Sequence, residues 1–180
     1  GKAAAAVPCT EEDVDFRSVV KACEVAGEAS RVEAMIDRGA IPERVRREER
    51  RGNRALVFDH VEDTAARIVG NLYGSARRVC RSLGAPDYAT LFTRLDAAIA
   101  NPAALARSTA ATGDVDVIAS PDLARQLPVM RYSQHDATPY LTSGILLARD
   151  PASGAHHLCF VRMAIVGGNE VLVNPATARI

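Results

Sequence analysis

Apolar and polar positions recur along this chain with two different periods, and each period predicts one type of secondary structure. Between Asp15 and Ala26 the apolar residues return every three or four positions, which is the spacing of one helix face, and Gly27 follows as a stop signal. The next segment, residues 41–52, is dominated by arginine and glutamate. We therefore expect a solvated helix or a connection there, with surface arginines, before any ligand site.

Short apolar runs with β-branched residues come next. Residues 54–61 and 66–72 each predict a strand, with polar residues between them as the connection. Ser75 and Asp87 each stand where a side-chain oxygen can cap the free amides at the start of a helix. The helix after Asp87 carries an apolar stripe that ends before Asn101-Pro102, formed by Leu91, Phe92, Leu95, Ala98 and Ile99.

The second half of the chain changes to the strand period. Residues 103–125 are rich in small and polar residues, so we place a domain boundary near residue 110, with domains at 1–110 and 111–180. The strand-like segments after it are residues 141–148, 157–166 and 170–173, separated by turns at 150–154 and 167–169. Three strands joined by two short turns predict an antiparallel meander that can continue into a barrel.

Charge and cysteine content restrict the class of protein. The 180 residues carry 22 basic and 22 acidic side chains, and this zero net charge argues against nucleic acid or a membrane surface as a partner. The apolar stretches fall short of the roughly 20 residues that cross a bilayer. The four cysteines form no C-x-x-C pair, which disfavours a zinc ribbon or a disulfide framework and favours a cytoplasmic protein. The start at Gly1, without methionine, indicates a processed or truncated terminus.

Candidate chemistry is sparse. The cluster Gln134-His135-Asp136 and the pair His156-His157 could supply ligands or acid–base groups, although such histidines are more often structural. No dinucleotide-binding, P-loop, nucleophile-elbow or zinc-protease motif is present in the sequence. Arg162 stands out because it lies inside the apolar run 158–166, where an unpaired charge would be costly to bury. Its partner is then either a structural carboxylate or the anionic group of a substrate or cofactor.

One long segment resembles the UbiD family of decarboxylases. The family pattern is a Leu-Pro entry, an Asp followed by Pro-Tyr-x-Thr, an Asp-Pro turn ending in Gly, and an Arg-Met strand. This chain has these elements in order within LPVMRYSQHDATPYLTSGILLARDPASGAHHLCFVRM, residues 127–163. Upstream, RALVFDHV and VGNLYGSARRVCRSLG resemble the family's strand, its Gly-Asn-Leu-x-Gly-Ser segment and the helix after it.

The resemblance implies an α+β fold, in which a small α/β domain precedes a split β-barrel that binds prenylated flavin mononucleotide (prFMN). It also implies a divalent metal, Mn or Mg, and potassium beside the cofactor phosphate. In the family the Asn of an Asn-x-x-x-x-Arg strand binds the metal, and the Arg contacts the substrate carboxylate. Here His157 and Arg162 occupy these positions. The resemblance assigns the flavin contacts to Thr142, Cys159, Phe160, Val161, Arg162 and Met163.

Activity is implied in the same way. Family members remove CO2, reversibly, from aromatic or α,β-unsaturated carboxylic acids, with a carboxylic acid supplying the later proton. Two catalytic glutamates belong to a later part of the family sequence, so this chain is expected to be a portion or subunit of an oligomeric enzyme. A partner chain or further sequence would then carry the glutamates. His157 replaces the family's asparagine, and Ala178 stands near the next metal-binding position. A noncatalytic flavin-binding accessory subunit is therefore the alternative, and a simple interaction module is a third.

Overall fold

The computed structural model describes residues 15–102 and 117–173. The first of these ranges contains four α-helices and three strands, in the order α1 Phe16–Val25, β1 Ala29–Val32, α2 Ile41–Arg51, β2 Ala55–Phe58, β3 Ile68–Gly70, α3 Ala76–Ser82 and α4 Tyr88–Ala100. The second range contains α5 Leu123–Gln126, β4 Tyr140–Arg149, β5 His156–Gly167 and β6 Glu170–Val173. In the described ranges no helix is long and apolar enough to cross a membrane.

The described chain divides into two compact units. The first lies within residues 15–35, 43–60 and 67–102, and the second combines residues 36–42 and 61–66 with residues 117–173. The domain boundary expected near residue 110 falls among residues 103–116, which lie outside the described chain.

A three-stranded sheet forms the centre of the first unit. Its order is β1-β2-β3, with β1 parallel to β2 and β3 antiparallel to it. All four residues of β2 are buried, which explains why this central strand is continuously apolar rather than alternating. Helix α1 covers the sheet and contributes to a core of Val19, Val20, Cys23, Ala55, Val57 and Leu72.

Side-chain caps begin helices α1, α3 and α4, and those at Ser75 and Asp87 confirm the prediction. The Asp15 carboxylate accepts a 2.6 Å hydrogen bond from the Ser18 amide at the start of α1. In return, Ser18 Oγ accepts a 3.1 Å hydrogen bond from the Asp15 amide. Ser75 caps α3 through the Arg78 amide, and Asp87 caps α4 through the Thr90 amide. The predicted apolar stripe lies on α4, and in the described structure Leu91 is its one buried residue.

Arg78 fixes the turn that joins β3 to α3. Its side chain is buried, and the guanidinium donates to the carbonyl oxygens of Asn53, Leu72 and Asn71 at 2.7, 2.8 and 2.9 Å. Asn53 and Asn71 hold positive φ angles of 50° and 57°, and their side-chain amides bond to each other at 2.9 Å. A Cβ on Gly74 would lie 1.9 Å from Asn71 Oδ1, so this position requires glycine. One cation and two asparagines therefore organise the Gly-Asn-Leu-x-Gly-Ser segment.

The second unit contains the predicted meander. Strands β4, β5 and β6 pair antiparallel in sequence order, and the Asp150–Gly154 and Gly168–Asn169 turns join them as expected. The register shifts between Leu141 and Gly144, which places one extra residue in β4 opposite β5. Since the described strands form an open sheet, barrel closure stays a prediction. The mixed helix-and-strand class is confirmed.

Candidate functional site

Arg162 lies on β5, in the middle of the second sheet. It is exposed, so the argument that its burial demands a carboxylate partner is wrong. Its guanidinium carbon instead lies 5.7 Å from the centroid of the Tyr140 ring on β4. Tyr140 pairs with Ala164, two residues beyond Arg162, so strand alternation places both side chains on one face of the sheet. The ring holds the cation by a cation–π contact and leaves its N–H groups open to an anion.

Two hydroxyl groups meet at the irregular part of β4. Thr142, in the irregular segment of β4, is exposed, and its Oγ1 lies 3.2 Å from the hydroxyl of Tyr132. Tyr132 is itself partly exposed, at 41%. The Tyr132 hydroxyl, from the segment before β4, thus meets the Thr142 hydroxyl on β4, the strand that pairs with the strand of Arg162.

An apolar surface extends from Arg162 along the same side of the sheet. Phe160 pairs with Ile145, and Leu158 pairs with Leu147, so these four side chains share one face with Arg162. All four are more than half exposed, and Phe160 reaches 82%. Leu172 of β6, opposite Ala164, continues the same surface. We call this set the apolar face, comprising Ile145, Leu147, Leu158, Phe160 and Leu172. An exposed apolar surface that adjoins a cation suits a planar ring that carries an anionic group.

The other predicted cofactor residues lie on the opposite side of the sheet. Because β5 is regular from His156 to Met163, the side chains of His157, Cys159, Val161 and Met163 point away from Arg162. Val161 is buried, and Cys159 is a partly buried free thiol. The structure therefore places Arg162 and Phe160 on one side of the sheet and these four side chains on the other, while Thr142 lies in the irregular part of β4.

The residues expected at a metal site do not form one in the described chain. His157 is exposed, and no group of three or more histidine, cysteine, aspartate or glutamate side chains lies close enough together to hold a metal there. Ala178, the position near the second expected ligand, lies outside the described residues. The described side chains do not fit a complete metal centre.

The Gln134-His135-Asp136 cluster forms a turn. Asp136 Oδ2 accepts hydrogen bonds from the amides of Tyr132 and Ser133, both at 2.9 Å. The side chains of Gln134 and His135 contact each other at 3.3 Å. This geometry explains the polar cluster by local backbone satisfaction and favours the structural interpretation of His135.

Sequence reasoning missed two features of this unit. Tyr140 entered only as a motif residue, although strand alternation and the register with Ala164 would have paired it with Arg162. A cleft lined by arginines also escaped notice, because its residues come from four separate segments of the chain.

Comparison with known proteins agrees with the fold. The model of the 3-octaprenyl-4-hydroxybenzoate carboxy-lyase N-terminal domain matches residues 20–98, and that of the carboxy-lyase Rift-related domain matches residues 105–179. Anhydromevalonate phosphate decarboxylase from Methanothermobacter thermautotrophicus is 24% identical over 120 residues, which cover 66% of this chain and 27% of that protein.

Solved structures show the same likeness. An evolved dimeric form of the UbiD-class enzyme HmfF from Pelotomaculum thermopropionicum, in complex with prFMN, aligns with a TM-score of 0.78 at 25% identity, covering 91% of this chain and 39% of that one. HmfF with FMN aligns at 0.73 and 26% identity, covering 88% and 36%. Vanillic acid decarboxylase from Sedimentibacter hydroxybenzoicus, at 18% identity and a TM-score of 0.75, covers 91% and 37% and shares the fold.

The chain therefore spans well under half the length of the relatives it matches, while the two domain models together cover most of its own length. Both the order of the domains and the three-dimensional fold agree with the resemblance noted in the sequence. The chain belongs to the UbiD family of decarboxylases.

Proposed function

We propose that this chain forms the cofactor- and carboxylate-binding part of a UbiD-type decarboxylase. The enzyme would remove CO2, reversibly, from an aromatic or α,β-unsaturated carboxylic acid. One observation carries the proposal: in a UbiD-family chain, Arg162 lies over Tyr140 on the same side of the sheet as an exposed apolar face. HmfF, a relative of the same fold, is solved with prFMN and with FMN.

The side chains on the Arg162 side of the sheet fit a flavin and an anion. Phe160 and its neighbours on the apolar face would cover the ring system and exclude water, since their exposed area is released on contact. Arg162 would bind the carboxylate by its two-pronged donor geometry, oriented by Tyr140. Thr142, whose Oγ1 donates to the Tyr132 hydroxyl, lies on β4, the strand that pairs with β5. When bound, prFMN supplies the electron sink for loss of CO2.

Cys159, Val161 and Met163 would contribute to the cofactor site through the backbone of β5, because their side chains lie on the opposite side of the sheet. The expected roles of Mn or Mg, of potassium and of His157 stay predictions. We derive no chemical step from them, since the described residues assemble no metal centre.

A complete enzyme also requires two catalytic glutamates, which the family carries in a later part of its sequence. We propose that a second chain or further sequence supplies the two catalytic glutamates and the remaining strands of the split barrel, in a homo- or hetero-oligomer. The open sheet and the uncovered apolar face support this, because both expose surface that an assembled barrel would bury. The four scattered cysteines, without a C-x-x-C pair, favour a reducing cytoplasmic location.

A noncatalytic flavin-binding subunit is the second candidate. It is favoured by His157 in place of asparagine and by the lack of a metal-binding group among the described residues. The two candidates differ in one measurement: both bind flavin, whereas only the first releases CO2 once its partner is present. If the chain binds no flavin even with a partner present, the third hypothesis, an interaction module, is supported.

The test is a substitution at Arg162 in protein co-expressed with a flavin prenyltransferase and the neighbouring genes. We expect Arg162→Ala to abolish CO2 release from the assembled enzyme, because the carboxylate loses its positioning cation. Arg149→Ala is the matched control, since Arg149 is an exposed arginine in the same sheet. Native mass spectrometry with an absorbance spectrum measures flavin occupancy independently. Unchanged turnover in Arg162→Ala would contradict the assigned role.

A further inference from the structure

The second unit contains a cleft that the proposed decarboxylase site does not use. It has a volume of about 800 Å³ and is lined by Arg38, Gly39, Asp63, Ala124, Arg125, Val129, Met130, Arg131 and Pro139. Arg162 and the apolar face are not among these residues. The cleft side chains thus carry three positive charges and one negative charge, a net of +2 (3 − 1).

The three arginines have no carboxylate partner in residues 15–102 and 117–173. Arg38 donates to the carbonyl oxygens of Val129 and Asp63 at 3.2 and 3.1 Å, and Arg131 donates to the Ala137 carbonyl oxygen at 3.1 Å. Arg125, on α5, is exposed. Carbonyl groups orient a guanidinium without neutralising it, so the positive charge of the cleft is retained.

The contrast with α2 shows why the cleft is the better anion site. In α2, Arg46 and Arg47 both pair with Glu43 at about 3 Å on an exposed helix surface. Each of those two guanidinium groups thus has a carboxylate partner and is exposed to solvent. In the cleft, guanidinium groups without a carboxylate partner among the described residues line a concave surface. The fields of several like charges add there, which raises the local concentration of anions.

The walls between the arginines are apolar. Val129 and Met130 are buried at 5% and 8% exposure, and Pro139 and Ala124 complete this side of the cleft. The hydrogen bond from Arg38 to the Val129 carbonyl joins residues that are 91 positions apart in the sequence. The cleft is therefore held by a long-range contact rather than by one loop. A dianionic head between arginines, with an apolar body against these walls, matches the lining.

We propose that this cleft binds a phosphate dianion, in which Arg125 and Arg131 grip the phosphate oxygens and Arg38 is pre-oriented by its two carbonyl contacts. The phosphate is either free inorganic phosphate or the head group of a small organic phosphate monoester. The cleft lining does not include Arg162 or the apolar face, so a binding test needs neither cofactor nor substrate.

The experiment is an amide chemical-shift titration of the 15N-labelled chain at pH 7.5 and constant ionic strength, set with chloride. Inorganic phosphate and phenyl phosphate are the two probes. We expect saturable shifts centred on Gly39, Ala124 and Met130. Equal affinity for both probes identifies free phosphate as the ligand type. Tighter binding of phenyl phosphate by tenfold or more identifies a monoester whose body contacts the apolar wall. Shifts centred on α2, or no saturation by either probe, would overturn the proposal.

A charge-matched pair of variants separates a built site from general attraction. Arg125→Ala combined with Arg131→Ala should weaken phosphate binding by about a hundredfold, roughly tenfold for each charge-assisted contact. Arg67→Ala combined with Arg149→Ala removes the same charge from exposed positions outside the cleft and should leave affinity within about twofold. Equal weakening in both pairs would refute the site. All four arginines are exposed, and the wild-type shift map decides the question even if a variant loses its fold.

Discussion

Replacement of Arg78 by alanine tests how the first unit is held together. The side chain is 3% exposed, and its guanidinium is the shared donor to the carbonyl oxygens of Leu72, Asn53 and Asn71. The variant leaves these three oxygens without their donor. The bond to Leu72 is fully buried, whereas the other two are partly buried, so water can replace those two in part.

The expected loss follows from these environments. An unsatisfied buried carbonyl costs about 1–3 kcal/mol, so we assign about 2 kcal/mol to Leu72 and about 1 kcal/mol to each of the others. Loss of the buried aliphatic stem adds about 1–2 kcal/mol at roughly 0.8 kcal/mol per methylene. Relief from burying the cation acts in the opposite direction by about 1–2 kcal/mol. The free energy of unfolding should therefore fall by about 3–5 kcal/mol, a large part of a typical domain's stability.

Urea unfolding followed by circular dichroism measures this change. Arg77→Ala is the matched control, because Arg77 neighbours Arg78 but has an 81% exposed side chain and only a 3.6 Å ion pair with Glu28. It should change the unfolding free energy by less than about 0.5 kcal/mol. Arg78→Lys keeps the charge but not the planar donor set, so an intermediate loss is expected. If Arg78→Ala loses less than about 1 kcal/mol, the hydrogen-bonded cation is not what holds this turn.

Two further predictions concern packing and pH. In Gly70→Ala the new Cβ would lie 2.5 Å from Val45 Cγ2, so we expect a loss of about 1–3 kcal/mol in the same urea assay. Adding Val45→Ala should recover much of it, and a Gly70→Ala variant as stable as wild type would show that β3 and α2 are not in close contact. The pKa of Asp150 is lowered, first by the hydrogen bond from the Ser153 hydroxyl and then by that from the Ala152 amide. The stability it contributes is complete above the ordinary aspartate pKa and is lost as pH falls through the lowered value. Amide exchange of the β4–β5 turn should therefore accelerate at acid pH in wild type and be pH-insensitive, apart from intrinsic exchange, in Asp150→Asn.

Local patterns predicted most of the regular structure. Caps depend on one side chain and the amides three residues later, so Ser75 and Asp87 could be predicted from the sequence and are confirmed. The Asp150–Gly154 turn is equally local. By contrast β1 was missed, since its four residues show no alternation and gain their strand state by pairing with β2, 26 positions away at Ala29 and Ala55.

Burial was harder to predict than secondary structure. Periodicity shows that Phe92, Leu95 and Ile99 share a helix face with Leu91, but not what covers them, and these three are exposed. The burial of Arg162 was inferred from its apolar neighbours in the sequence. In a strand, however, the adjacent side chains point to the opposite side of the sheet. Val161 is buried for that reason while Arg162 is exposed. The arginine cleft depends on Arg38 reaching Val129, a contact with no local signature.

Arg78 does for the first unit what a bound calcium ion does for loops in other proteins: one positive centre gathers carbonyl oxygens from separate stretches of backbone. A bound ion dissociates on dilution or is removed by a chelator, and its loss unfolds the loops around it. A guanidinium carried on α3 is present at fixed stoichiometry from synthesis onward. The folding of this segment is thereby independent of ion supply.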